Sequence, residues 1–363
     1  VRVVFLARQA LPFSPAEFDR QAVGGSELAL YRVAKGLAEL GHEVIVVNRC
    51  VDEAGVYGGV WYFDLTRDAT TWQQHVRSKP ADVLVLFRRM LDVTARIPAR
   101  SRVFWAHDHQ GVQLSDPPSL GRRLAIAWRR FSGPWFHERV DRVFVVSEFM
   151  AELFIWLFRT PKSKLVVMPN GVDAEEFEAV QVRKRPHQFV YTSVPERGLD
   201  ELLRAIFPKI RRAYPDAILQ VTSYRSLESY RGAEGEGVVL RGTLARRDLA
   251  RLLMESAVML YPSRFEEMGA IAVLESMAAG TPAVTSTRGV LRELAGGGER
   301  GVAVEGTPGT KEFAERFVEA TLELLADEDR LARMRKAARE YVLENHEWRR
   351  IVRRWDEVLA SLS

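Results

Sequence analysis

Short runs rich in β-branched and aromatic residues alternate with longer stretches of helical period along nearly the whole chain. VRVVFLA at the start reads as a strand. Ser26 to Leu40 reads as a helix, because Leu28, Leu30, Tyr31, Val33, Ala34, Leu37 and Leu40 recur at helical spacing, and Gly41 follows as a stop. Further strands are predicted at EVIVVN, DVLVLF, RVFWAH, RVFVVS and KLVVMP. Apolar residues fill successive positions in these runs rather than alternate ones. Both faces of the sheet are therefore buried, as in a parallel sheet covered by helices on each side.

Between Glu178 and His187 the pattern lapses into EAVQVRKRPH, which is polar, basic and interrupted by a proline. This stretch reads as a linker. Beyond it the alternation restarts with strands at QFVYTS, AILQVTS, VVLRG, VMLYPS, PAVTS and GVAVEG. Helices are predicted at Leu199 to Tyr214, Arg246 to Ser256 and Ile271 to Ala279, and the last begins near Trp348. The expectation is an α/β protein of two doubly wound, Rossmann-like lobes, residues 1–180 and 187–345, facing a central cleft. Ligands of such sheets bind beyond the carboxyl ends of the strands.

Composition agrees with this class. The chain has 363 residues, 47% hydrophobic and 28% charged, enough for two domains at about 150 residues each. No run of about 18 apolar residues indicates a membrane span, and the N-terminal stretch lacks a signal-peptide pattern. A single cysteine, Cys50, excludes an internal disulfide framework and a cysteine-based zinc site, and fits a reducing cytoplasm. The net charge of +4 is mild and its basic residues are scattered, so nucleic-acid binding finds no support.

The densest candidate chemistry is EEMGAIAVLESMAAGTP, Glu266 to Pro282. VMLYPS predicts a strand, RFEEMG the loop at its carboxyl end, and AIAVLESMAAG the helix after it. Glu267 then sits beside the first helical turn and Glu275 about two turns further on. Exposed amides at a helix start attract anions, and a carboxylate beside them could accept hydroxyls of a ligand whose phosphate meets those amides. Taken alone, the pair reads more simply as a helix-dipole charge and an exposed helix residue. Gly24 and Gly25 precede the first helix, either as an ordinary turn or where backbone approaches a ligand closely. His107, Asp108 and His109 give only two histidines on one strand face, a weak metal signal. DED at Asp327 to Asp329 reads as a helix-capping acid cluster. RRLAIAWRRFSGPWFHERV and FMAELFIWLFRTP mix aromatics with arginine. They read as helices covering the first sheet with arginines outward, or as a patch for peripheral membrane contact.

The segment YPSRFEEMGAIAVLESMAAGTPAVTS resembles the signature of the retaining glycosyltransferase family 4, whose fold is GT-B. AVGGSELALYRVAKGLAELGHEV, FWAHDH, VVSEFM, VVMPNGVDAEEF, SVPERGLDELLRAI and GVLRELA fall in that family's order, so the resemblance covers most of the chain. It implies that Glu267 holds hydroxyls of the donor sugar, Glu275 the nucleotide ribose, and the amides of Gly269, Ala270 and Ile271 the sugar or phosphates. Counting from Gly269 would make Glu266 the first glutamate; counting back from Glu275, with Ile271 at the usual aliphatic position, favours Glu267. The resemblance further implies that Gly24 and Gly25 face the donor phosphates and that His107 lines the cleft near the reacting oxygen. Arg197 would grip the diphosphate, and Glu293 is the glutamate of the Gly-x-x-Glu that follows the signature. The C-terminal helix, 346–363, would cross back to the first lobe.

Two positions depart from the family pattern. PERG carries Arg197 where lysine is common, which keeps the charge and changes its geometry. Thr192 stands where an arginine is common, and Arg225 or Arg264 would have to supply that charge. The implied reaction is metal-free, front-side transfer with retention from a UDP- or GDP-sugar to a hydroxyl of a glycan, lipid-linked or small-molecule acceptor. No further cofactor is implied. A nucleotide-sugar epimerase of the same fold and a non-catalytic nucleotide-sugar-binding subunit are the alternatives; turnover without an acceptor marks the first, and ligand-induced stabilisation without turnover the second.

Overall fold

The computed structural model describes residues 1–18, 24–50, 54–108 and 120–363. The chain forms two compact units. The first contains 1–18, 24–170 and the C-terminal 348–363; the second contains 171–347.

The first unit is built on strands β1 (Arg2–Leu6), β2 (Glu43–Asn48), β3 (Gly55–Tyr57), β4 (Val60–Asp64), β5 (Ala81–Phe87), β6 (Ala99–Trp105), β7 (Arg142–Val145) and β8 (Leu165–Val167). Their order in the sheet is β3-β4-β2-β1-β5-β6-β7-β8, and every pairing is parallel except β3 with β4. That pair is a hairpin the periodicity does not predict. Its turn is Gly58-Gly59, both at positive φ, the backbone that a twisted two-residue hairpin requires. Successive apolar residues of β6 serve opposite faces. Phe104 meets Phe136 and Phe154 at ring distances of 5.2 and 6.3 Å, whereas Trp105 meets Trp355 at 4.6 Å.

Trp355 belongs to the final helix, Trp348–Ala360, which packs back onto the first unit. It closes over Phe5 and Phe144 as well as Trp105. Its Val352 lies against Gly36 of the helix Gly25–Glu39, where a Cβ would fall 2.5 Å from Val352 Cγ2. The absence of a side chain at 36 is what lets these two helices touch. Cys50 is buried, and desolvation together with the Asp64 charge pushes its thiol up to about 12.

The second unit has six parallel strands: β9 (Arg185–Thr192), β10 (Ile218–Thr222), β11 (Val238–Gly242), β12 (Ser256–Tyr261), β13 (Ala283–Ser286) and β14 (Val302–Val304). Their order is β11-β10-β9-β12-β13-β14. In both sheets the winding direction reverses once, between β1 and β5 in the first and between β9 and β12 in the second. A crevice opens at the carboxyl ends of such a strand pair, because their outgoing connections run to opposite faces.

The segment read as a linker is less free than its polarity suggests. Val172 and Phe177, upstream of it, already belong to the second unit's core, and Arg185–His187 is the start of β9. Lys184 anchors what lies between. Its ammonium donates to the carbonyls of Met254, Ser256 and Ala279 at 3.1, 3.0 and 3.2 Å and to Thr281 Oγ1 at 2.6 Å. It thus caps the ends of helices Arg246–Glu255 and Ile271–Ala278, whose last carbonyls have no partner inside the helix. Lys184→Met is expected to lower the unfolding free energy by about 2 kcal/mol, since the side chain keeps its bulk and loses every donor. Urea denaturation measures this, and an unchanged midpoint would show that those carbonyls find other partners.

Asp327 N-caps the helix Glu328–Asn345 through Oδ1 and the Arg330 amide at 2.8 Å. Among the described residues no helix is long and apolar enough to cross a membrane.

Candidate active site

Within the second unit, the loops that leave β9 and β12 are fused by a glycine. Gly198 has φ +112°, and a Cβ there would lie 2.3 Å from the Pro262 carbonyl oxygen. The glycine of PERG therefore lets the backbone of one loop rest on the YPS turn of the other. Arg197, the preceding residue, is delivered to the loop after β12, where its guanidinium pairs with Glu267.

Glu267 is buried, with 3% exposure, and its carboxylate accepts from three side chains of this crevice. Tyr261, at the end of β12, donates to Oε1 at 2.7 Å, Ser263 donates to the same oxygen at 2.9 Å, and Arg197 takes Oε2. Ser193 Oγ, just beyond β9, stands 3.3 Å from the Tyr261 hydroxyl. Burial and the Glu267 charge push the Tyr261 hydroxyl up, so it remains a donor. Burial opposes the charge on Arg197, but Glu267 and Tyr261 outweigh it and the guanidinium is held more firmly protonated than usual. Phe265 lies under that guanidinium at 5.2 Å, a cation–π contact.

The backbone of Glu267 is clamped as well. Its carbonyl accepts the Val290 amide at 2.8 Å, and Gly289, at φ +62°, passes so close that a Cβ would lie 2.1 Å from that oxygen. Three residues on, Ala270 takes the left-handed conformation at φ +39° and opens the helix Ile271–Ala278. Gly269, Ala270 and Ile271 are half-buried, so the opening amides beside Glu267 are within reach of a ligand. Glu266, the other register, is turned to Arg288, whose Nη1 lies 3.2 Å away.

Glu275 is also buried, but it belongs to a separate group. Arg246 Nη1 donates to Glu275 Oε1 at 2.6 Å, and the same guanidinium binds Glu176 at 2.6 and 3.3 Å. Burial opposes its charge, and Glu275 and Glu176 together raise its pKa all the same. Glu176 comes from GVDAEEF and Arg246 opens the helix after β11, so one cation ties three separate segments. Glu293 is exposed on the short helix Leu291–Ala295, and its carbonyl accepts Arg300 Nη2 at 2.7 Å. Arg225, one of the two substitutes considered for the charge missing at Thr192, follows β10 and binds Glu196, the neighbour of Arg197, at 2.9 Å. Arg264, the other, is drawn to the buried Glu201 at 3.5 Å.

The first unit gathers a second polar cluster at its own winding reversal. Gly24 caps the helix Gly25–Glu39, and its missing Cβ makes room for Glu27: a Cβ would lie 2.3 Å from Glu27 Oε2. The buried Glu27 carboxylate accepts the Leu11 amide at 3.0 Å and Arg88 Nη1 at 3.2 Å. Arg88 follows β5 in the left-handed conformation, φ +66°, and also donates to Asp108 at 3.1 Å and Ser26 at 3.1 Å. His107, beyond β6, packs on Trp105 and Phe87 at 4.5 and 5.0 Å. Among the described residues its buried Nε2 has no hydrogen-bond partner, and desolvation together with Arg88 pulls its pKa well below the ordinary histidine value. It is a neutral imidazole with one nitrogen unanswered among the described residues.

His109 and residues 110–119 lie outside the described residues, as do 19–23 of the loop 13–23. Phe13 and Phe18 of that loop pack inward, 5.1 Å apart, and Phe18 stacks on Tyr31 at 4.5 Å. Sequence reasoning did not find Glu27, Arg88, Arg246, Glu176, Tyr261 or Ser263. Tyr261 and Ser263 stand inside the YPS motif itself, and Glu27 is a charge on a helix face that is otherwise apolar. Arg88 and Arg246 carry no local signal.

Comparison with known proteins agrees with this architecture. Residues 23–176 match the family described as Glycosyltransferase Family 4, and residues 187–327 the family described as Glycosyl transferases group 1. A glycogen synthase of Mycobacterium tuberculosis is 25% identical over 92% of this chain and 90% of its own. A GDP-mannose-dependent alpha-(1-6)-phosphatidylinositol monomannoside mannosyltransferase of Mycolicibacterium smegmatis is 29% identical over 61% of this chain and 62% of its own. The solved sucrose-phosphate synthase of Thermosynechococcus elongatus shares the fold at 16% identity, with a TM-score of 0.74 over 99% of this chain and 98% of that one. Two family matches in tandem, two doubly wound parallel sheets and a final helix returned to the first unit lead to one conclusion: the chain belongs to glycosyltransferase family 4, with the GT-B fold, and is a glycosyltransferase.

Proposed function

We propose that this enzyme transfers a sugar, with retention of anomeric configuration, from a UDP- or GDP-sugar to a hydroxyl acceptor, and that the second unit holds the donor. The observation that carries this reading is the meeting of Arg197 and Glu267 at the β9–β12 reversal, beside the opening amides of the helix Ile271–Ala278. A cation and free amides suit a diphosphate, and a fixed carboxylate suits sugar hydroxyls. A carboxylate has roughly four acceptor positions. Tyr261, Ser263 and Arg197 occupy three of those on Glu267, so one sugar hydroxyl can be accepted without displacing any of them.

In this reading Arg197 and the amides of Gly269, Ala270 and Ile271 stabilise the negative charge that develops on the leaving diphosphate. The proton of the attacking hydroxyl passes to a diphosphate oxygen on the same face, and no protein carboxylate acts as covalent nucleophile. Preorganised donors of this kind supply several kcal/mol of barrier lowering. Glu275 would take the ribose, and Arg246 would hold it in place. The neutral His107, whose Nε2 has no partner among the described residues, would meet a hydroxyl of the reacting sugar, and Gly24 and Gly25 would face the donor phosphates.

Thermal denaturation with a panel of nucleoside mono- and diphosphates and their sugars tests the donor assignment. A cognate diphosphate at about 100 times its Kd should stabilise the fold by about 2.7 kcal/mol. The stabilising donor, incubated with hydroxyl acceptors, should then yield a glycoside with the anomeric configuration of the donor, read by NMR. If no diphosphate or diphosphosugar shifts the transition, the assignment fails.

A further inference from the structure

The helix Leu120–His137 of the first unit has two apolar faces, and only one of them is used. Gly133, Phe136 and His137 are buried. A Cβ on Gly133 would lie 1.9 Å from the Phe158 carbonyl oxygen, so this face touches the neighbouring helix Glu148–Phe158 at backbone distance. At about 100° per residue, Leu120, Leu124, Trp128, Phe131 and Trp135 fall within an arc of about 80° on the other side. All five are exposed, between 40% and 78%. Single exposed apolar residues are ordinary, but five large ones in one stripe mark a surface that something covers.

The charges say what covers it. The helix carries Arg122, Arg123, Arg129 and Arg130 and no aspartate or glutamate. At the same helical step Arg123 and Arg130 border one edge of the stripe. Arg139, just past the helix, stacks on Trp135 at 4.5 Å. Tryptophan, phenylalanine and leucine on one face with arginine at the margin suit a helix lying in the boundary between headgroups and acyl chains. We infer that this face docks on an anionic lipid bilayer, with the stripe among the acyl chains and the arginines at the lipid phosphates. A second copy of the chain would bring four more arginines to the same surface with no carboxylate on the helix to answer them, so charge argues against self-association. The sequence reading that packs apolar residues inward holds for the helix Glu148–Phe158, where Met150, Leu153, Phe154, Leu157 and Phe158 are buried, and not for this one.

Flotation of the whole protein with phosphatidylcholine vesicles, and with vesicles part phosphatidylglycerol, decides the matter. Recovery with the anionic vesicles alone, reduced by salt, is the expected result. The double variant Trp128→Ser/Phe131→Ser should lower that partition by about tenfold or more at an unchanged melting temperature, because both side chains are exposed. Arg123→Glu/Arg130→Glu should lower it by a similar factor. The inference is overturned by failure to float, by equal recovery with neutral vesicles, or by a serine variant that floats like the parent. Sedimentation that finds a lipid-free dimer abolished by the serine pair would overturn it too, since the stripe would then be a self-association surface.

Discussion

Glu267→Ala is expected to lower kcat/KM by about a thousandfold or more, which is about 4 kcal/mol of transition-state stabilisation. The expected loss is large because the carboxylate would do two things at once. It would accept a donor-sugar hydroxyl, and it fixes Arg197, the cation given to the leaving diphosphate. The alanine variant also leaves the buried hydroxyls of Tyr261 and Ser263 without their acceptor, at a stability cost of about 1–3 kcal/mol. Glu267→Gln separates the two effects. Its amide oxygen still accepts from Tyr261 and Ser263 in the same volume, so the melting temperature should fall less than in the alanine variant. Its NH2 group faces Arg197 in place of a negative oxygen, so activity should fall nearly as far as in the alanine variant. Parent-like kcat/KM in a folded Glu267→Gln enzyme would remove Glu267 from the reaction.

Gly289→Ala should be among the most damaging single-methyl additions in the second unit, lowering the unfolding free energy by about 3 kcal/mol or more. Two terms combine. The residue sits at φ +62°, where an L side chain is strained, and its Cβ would meet the Glu267 backbone at 2.1 Å to oxygen and 2.6 Å to nitrogen. Backbone cannot rotate away as a side chain can, so Glu267 itself must move. Gly297→Ala is the matched control. It has a similar backbone, φ +66°, with nothing within 4 Å of the added carbon, and should cost only the conformational strain, about 1 kcal/mol. Urea midpoints for the two variants give the comparison, and activity of Gly289→Ala at low temperature reports whether the Glu267 position survives. Equal destabilisation of both would mean that the contact between Gly289 and Glu267 relaxes without consequence.

Much of the fold is legible in the chain because it depends on local repetition. The runs at β1, β5 and β12 are apolar at successive positions, which only a sheet covered on both faces can bury, and the helix Gly25–Glu39 shows its period plainly. The periodicity does not show the hairpin of β3 and β4, although Gly58-Gly59 between Tyr57 and Val60 is a turn signal, because β3 has only three residues and none of them is buried. The candidate site was legible only in part. Glu267 and Glu275 stand out by spacing and by family resemblance, but spacing leaves open what their carboxylates touch.

The sequence by itself determined the class of fold, the two windings and the segments that carry charge toward the strand ends, since each of these follows from the order of apolar and polar residues along a few turns. Only the tertiary structure decided which charges meet. Arg197 and Glu267 are 70 positions apart, and Arg246 lies between Glu176 and Glu275 in sequence while binding both. The first pairing exists because β9 and β12 are neighbours in the sheet, a consequence of global packing that no local period encodes. The outward stripe of the helix Leu120–His137 was undecided for the same reason: a helix apolar on two sides does not say which side its own core will take.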